Sequence, residues 1–319
     1  MAHQPGTTYE QGRLVYGMQL PIQSQSTIFA EAWEPDATVA DLVEIARTAD
    51  RSGFAYIANC DHVAIPRRLA GAMGTTWYDP VATLSFLAGV TERVQLLTHV
   101  GIVGLRHPLV TAKAYATLDH LSGGRLILGV GAGHVEEEFD AIGVDFAGRG
   151  RVLDETVDAL KAALGQEEFP EHRGERFSFS GLGQRPRPAQ ERVPLWVGGS
   201  SPAAVRRAAT KGDGWLPQGD PRTKLPAQIA KLKQLREAAG IEEPVVIGAI
   251  AEPLYVGEPD WDTGKWTLTG KAEALAESLR EFKAIGVQQI QVRFRNRSRA
   301  ELTDQMAAFG AEVAPLLND

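Results

Sequence analysis

Histidines, arginines, carboxylates and glycines recur in this chain at one kind of place, directly after short apolar runs. Asp61 and His62 follow FAYIANC. Thr98 and His99 close VQLLTH, with Arg106 and His107 just beyond. Gly131, Gly133, His134, Glu136 and Glu137 follow LILGV. Gly198, Gly199, Ser200 and Ser201 follow PLWV, and Arg293, Arg295 and Arg297 follow QIQV. Four of the seven histidines, His62, His99, His107 and His134, fall at such positions. Imidazoles gathered at one rim suit proton transfer near neutral pH. The glycines of GVGAG let a flat ring approach the backbone closely. GGSSP opens a helix right after a strand, so its backbone N–H groups and the helix dipole form a phosphate site. In that site Ser200 or Ser201 also caps the helix, with Pro202 at its first position.

Two other readings of these residues fail. GVGAG is not a dinucleotide fingerprint, because His134 stands where the third glycine belongs and Arg149 and Arg151 lie where the acidic residue should be. Asp61-His62 is no metal half-site, because the first strand ends without H-x-H and no carboxylate follows the eighth. No metal is expected.

The elements that must position these groups alternate. Strands are expected near 14–20, 54–59, 94–100, 126–130, 195–198, 215–217, 245–250 and 289–294. Helices are expected over 39–51, 109–121, 149–164, 203–211, 225–239, 272–284 and 300–316. Val39, Leu42, Val43, Ala46 and Ala49 share one face of the first helix. Strands such as LILGV and VVIGAI are apolar throughout, as a parallel sheet covered by helices requires. Arg93–Glu138 reads as a complete βαβ unit with its chemistry at the carboxyl ends. Eight such strands predict an α/β fold, a (β/α)8 TIM barrel with insertions, as one domain over 1–319. A doubly wound sheet would show a split into halves, and none is visible. Insertions are expected near 23–35, 165–193 and 252–270. ERFSFSG in the second reads as a hairpin. The first and third should overhang the active face, with Trp261 to Trp266 as the lid that decides substrate choice. On the opposite rim Asp119 and Arg125 are expected to pair as ions, and GDGW to turn.

Bulk properties narrow the class. The net charge is −7 and the pI about 5.6, which gives nucleic-acid binding no support. No run of about 18 apolar residues predicts a membrane span. The first residues, MAHQPGTTYEQGR, hold no apolar signal core. The single cysteine, Cys60, excludes an internal disulfide and a cysteine zinc site and fits a cytoplasmic location.

CDH at Cys60–His62, LRHP at Leu105–Pro108, ATLDHLSGGRLILGVGAG at Ala116–Gly133, GRGRVLDE at Gly148–Glu155 and PLWVGGSSP at Pro194–Pro202 together resemble the bacterial luciferase-like monooxygenase superfamily, in the branch using the deazaflavin coenzyme F420. FMN-dependent relatives share much of the pattern. The resemblance implies a barrel with the cofactor ring at the carboxyl ends of its strands, a small-molecule substrate and a homodimer. It places Asp61 and His62, Thr98, His99 and Val100, and Gly131 and Gly133 around the ring. It gives His99-Val100 a non-prolyl cis peptide behind the ring, and hands the ribityl phosphate to Gly198, Gly199 and Ser200. His62 would contact the ring and orient or polarise near it, with His134 or Glu137 as candidate proton donor. Arg67, Arg68 and Arg295 are candidates for an oligoglutamate tail. A glucose-6-phosphate dehydrogenase of this family has Glu in place of His134 and an aromatic residue in place of Pro66, so that sugar is not carried over. The expected activity is hydride exchange between F420 and a small organic substrate. The alternatives are an FMN-dependent monooxygenase and a non-catalytic flavin-binding protein.

Overall fold

The computed structural model describes residues 9–24, 26–27 and 29–319. His3, and Gln25 and Ile28 of the first expected insertion, lie outside the described residues. Eight strands form a closed parallel barrel. They are β1 (Val15–Gln19), β2 (Tyr56–Asn59), β3 (Gln95–Thr98), β4 (Leu126–Val130), β5 (Leu195–Gly198), β6 (Gly214–Leu216), β7 (Val246–Ile250) and β8 (Gln289–Gln291). Each strand pairs with the next, and β8 closes on β1 with Val15 opposite Gln289. All eight lie where the sequence placed them. Every residue of β2, β3 and β4 is buried, because barrel strands face packed side chains inside and helices outside.

A helix follows every strand: α1 (Val39–Arg51), α2 (Pro80–Ala88), α3 (Pro108–Leu121), α4 (Arg149–Ala163), α5 (Pro202–Lys211), α6 (Leu225–Ala238), α7 (Ala272–Ala284) and α8 (Arg299–Ala308). Their starts are written in local chemistry. Thr38 and Asp41 form a reciprocal capping box on α1. Asp79 accepts from Ala82 N–H at 2.9 Å and Pro80 begins α2. Helix α2 fills the place between β2 and β3 that eight strands, each followed by a helix, require. The last expected helix, 300–316, stops at Ala308. A π turn over Phe309–Val313 and a 3-10 turn over Ala314–Asn318 follow it, and Pro315 in that tail has no N–H to continue an α ladder.

The second insertion holds an antiparallel pair, His172–Arg173 with Ser178–Phe179, so the expected hairpin at 175–181 contributes only its turn and second strand. In the third, Leu254–Val256 runs parallel to Leu268–Gly270. At the amino-terminal rim the expected Asp119–Arg125 ion pair does not form. Arg125 instead donates to the carbonyls of Ala88, Thr91, Val94 and Ser122 and to the Thr91 hydroxyl. Asp119 accepts from Leu126 N–H and from the backbone and side chain of Gln190. Each group meets the backbone end of the neighbouring element, which satisfies buried polar atoms without placing the two side chains together.

Candidate active site

The carboxyl ends of the strands surround a cavity of about 720 Å³, large enough for a drug-sized ligand. Asp61 and His62 enter it after β2, His99 and Val100 after β3, Gly131, Gly133 and His134 after β4, and Gly198 to Ser201 after β5. Of the expected site residues, Thr98 and Glu137 do not line it. Thr98 is fully buried and its hydroxyl donates to Gly129 O at 2.7 Å. Glu137 stands on the surface in an ion pair with Arg68. Arg68 is thereby engaged, and Arg295 is engaged with Glu31 at 2.7 Å.

Asp61 is a structural anchor within the wall. Its two oxygens take the Arg106 guanidinium at 2.7 and 3.0 Å, and Oδ2 also accepts from Ile102 N–H at 2.9 Å. That bidentate contact fixes the loop after β3. His107 lines nothing here; its ring caps α3 by accepting from Leu109 N–H.

His62 is held by Glu138, a residue the sequence analysis did not single out. Glu138 belongs to a short helix, Glu136–Ala141, and its side chain is wholly buried. One oxygen lies 3.1 Å from His62 Nδ1, and the other accepts from the N–H groups of Val63 and Ala64. Burial alone would push this carboxyl up. The His62 contact and the two backbone donors outweigh burial and hold it below the usual range. With Nδ1–H donating to a carboxylate, Nε2 is the ring atom left to exchange a proton. Trp77 packs edge-on against the His62 ring at 4.5 Å, and His134 lies perpendicular to it at 5.5 Å. Trp77 supplies the aromatic neighbour that Pro66 does not, and its indole N–H is buried without a partner among the described residues. Burial, aided by the nearby His62, holds His134 below its ordinary pKa.

The floor is a backbone device. His99-Val100 is a non-prolyl cis peptide, as expected. A Cβ at Gly131 or at Gly198 would come within 2.4 Å of a Val100 methyl group. Glycine at both positions is therefore what lets Val100 sit between them. Gly133 has a different reason, a φ of +78° and contact with Phe139 and Ile102. His99 is 4% exposed, and neither ring nitrogen has a partner among the described residues. Burial pushes its pKa down to about 4 against the pull of nearby Gln291.

At the β5 end Ser201 caps α5 by accepting from Ala204 N–H at 3.2 Å, with Pro202 in the first turn. Ser200 is tied to the backbone of Gln218. Two arginines also line the cavity, Arg149 at the start of α4 and Arg207 within α5. Arg149 stacks over Phe146 at 3.8 Å, and Arg207 pairs with Asp154 at 2.7 Å.

The expected Trp lid is not over the cavity. Trp266 is 74% exposed, Trp261 packs near Tyr255 and Arg297, and neither lines the opening. Segment 23–35 does line it, through Ser24, Ser26, Phe29, Ala30, Glu31 and Glu34.

A parallel eight-stranded barrel with this rim defines a family, and comparison with known proteins identifies it. The sequence profile of the luciferase-like monooxygenases matches residues 15–262, and the chain belongs to that family. An uncharacterized protein of Mycobacterium tuberculosis is 30% identical over 245 residues, 72% of this chain and 84% of its own. An FMNH2-dependent dimethylsulfone monooxygenase of Pseudomonas putida is 26% identical over 328 residues, covering 86% of this chain and 87% of that enzyme. Among solved structures, an F420-dependent secondary alcohol dehydrogenase in complex with an F420–acetone adduct superposes with a TM-score of 0.77 at 17% identity. That match covers 96% of this chain and all of the other (100%), and at such identity it speaks for the fold alone.

Proposed function

We propose that this oxidoreductase exchanges a hydride between coenzyme F420 and a small organic substrate, and that it works as a homodimer. The observation that carries the reading is the buried Glu138 fixing His62 at the wall of the cavity. Moving a hydride onto or off an oxygen-bearing carbon requires a proton to move beside it, and a carboxylate-oriented imidazole suits that task.

The residues present fit a flat ring with a phosphate-bearing chain. The methyl groups of Val100 form an apolar floor between Gly131 and Gly198, which project no Cβ. His99, with Gln291 nearby, carries buried ring nitrogens that can meet a polar ring edge. The start of α5 supplies N–H groups for a phosphate, and Arg149 and Arg207 line the same cavity. When bound, F420 would supply the carbon that gives or takes the hydride. His62 Nε2 holds the proton that the substrate oxygen gains or gives up. Glu138 stabilises the imidazolium and keeps the ring in one orientation. Trp77 and His134 pack against that ring and restrict its orientation.

A second reading, an FMN-dependent monooxygenase, is favoured by the resemblance to the Pseudomonas enzyme along 86% of this chain. Titration of the purified protein with F420 and separately with FMN, followed by tryptophan quenching, decides between them. Tight F420 binding with weak FMN binding supports hydride transfer. Tight FMN binding, with oxygen consumed when the FMN is reduced, supports the monooxygenase and overturns the proposal.

A further inference from the structure

Arg293 is held only loosely by the protein among the described residues. It follows β8 and lines the opening. Among the described residues its one ionic contact is a long one, to Glu31 Oε1 at 3.6 Å. That carboxylate is already held by Arg295 at 2.7 Å. A guanidinium carries five N–H donors in a fixed fork, and a cavity-wall fork whose single protein acceptor lies at 3.6 Å keeps donors for a ligand. The ring of Phe29, 5.4 Å from the guanidinium carbon, forms an apolar flank beside it.

The surrounding charge decides what kind of acceptor fits. The charged groups acting on Arg293 are Glu31, Arg295 and Glu34. Burial raises the pKa of Glu34, while N–H groups of Ile22 and Glu31 donate to its two oxygens and favour the ionised form. Two carboxyl groups, Glu31 and Glu34, thus face two guanidinium groups, Arg293 and Arg295. An incoming anion then gains little net attraction, whereas a neutral oxygen still gains the hydrogen bond. The phosphate-type site at α5 follows β5, three strands away around the barrel, so the two serve different parts of what binds.

We propose that Arg293 anchors the substrate by donating to a neutral acceptor oxygen of the carbonyl type, and that the cavity discriminates against the corresponding carboxylate. This rests on the cavity being where substrate binds, and it holds whichever cofactor is used.

The test uses the purified full chain without added cofactor and two probes, cyclohexanone and cyclohexanecarboxylate, with binding read by calorimetry. Inorganic phosphate is present throughout to occupy the site at α5. The wild-type protein should bind the ketone more tightly than the carboxylate. Arg293→Gln should weaken the ketone by about tenfold or more, Arg293→Lys should recover part of that loss, and surface Lys231→Gln should change nothing. Glu31→Gln removes one carboxylate and should strengthen the carboxylate probe selectively. A wild-type preference for the carboxylate, or ketone binding untouched in Arg293→Gln, overturns the proposal. The cofactor titration described above is a separate readout, so failure of the F420 reading leaves this result interpretable.

Discussion

The buried imidazole of His99 makes stability depend on pH in a window that can be worked out. Its pKa falls from 6.5 to about 4 because burial disfavours the charged ring. In the unfolded chain the same ring titrates near 6.5, so between these values the unfolded state binds more protons than the folded one. The contribution is therefore fully present above pH 6.5 and is lost as pH falls toward 4. A gap of about 2.5 pH units is worth roughly 3.4 kcal/mol over the whole window. Between pH 7.5 and 4.5 the loss should be about 2.5 kcal/mol, with roughly 1.4 kcal/mol gone by pH 5.5. Carboxylates titrate over part of the same range, so the wild-type curve alone does not isolate His99. His99→Gln keeps a polar side chain of similar reach and removes the titration. Urea unfolding of both proteins at pH 7.5, 5.5 and 4.5 gives two slopes whose difference belongs to His99. Parallel curves would refute the reasoning, because they would mean that the folded protein protonates this ring as readily as water does.

Three other perturbations probe separate parts of the structure. Glu138→Gln keeps an acceptor for Val63 and Ala64 but turns an N–H toward His62 Nδ1, so turnover should fall about 100-fold while ring binding by tryptophan quenching stays unchanged; an equal loss of both would make Glu138 a folding residue only. Gly198→Ala should abolish tight cofactor binding through its clash with Val100, and Gly198→Ala with Val100→Ala should recover much of it, which a quenching titration of single and double variants reads as non-additivity. Arg125→Ala leaves the carbonyls of Ala88, Thr91, Val94 and Ser122 without their shared donor and should cost about 3 kcal/mol in urea unfolding; a loss under about 1 kcal/mol would show that water replaces the guanidinium.

How far the residues disclose this molecule depends on how local each signal is. Strand positions were legible because burial on both faces writes a continuous apolar run, and helix starts because capping is settled within four residues, as at Thr38 and Asp41. The glycine floor was legible as a motif, but its reason was not. Gly131 and Gly198 answer to Val100, on other strands, and no spacing rule reports a clash that arises only when the barrel closes. Glu138 was hidden for a related cause. It stands in a run of three glutamates, where Glu136 and Glu137 read equally well as a helix start. What distinguishes it is direction, since from that short helix Glu138 turns inward to His62 while Glu137 meets Arg68 outside. Trp77 reaches His62 from fifteen positions downstream, and the amino-terminal rim exchanges its partners in the same way. Arg125 and Asp119 sit six apart with opposite charges, yet each has nearer backbone partners, and a buried group takes the nearest satisfying atom whatever its sign. Types and strand ends therefore locate the rim, whereas the pairs that tune it, His62 with Glu138, Val100 with the glycines and Arg295 with Glu31, arise from closure of the barrel.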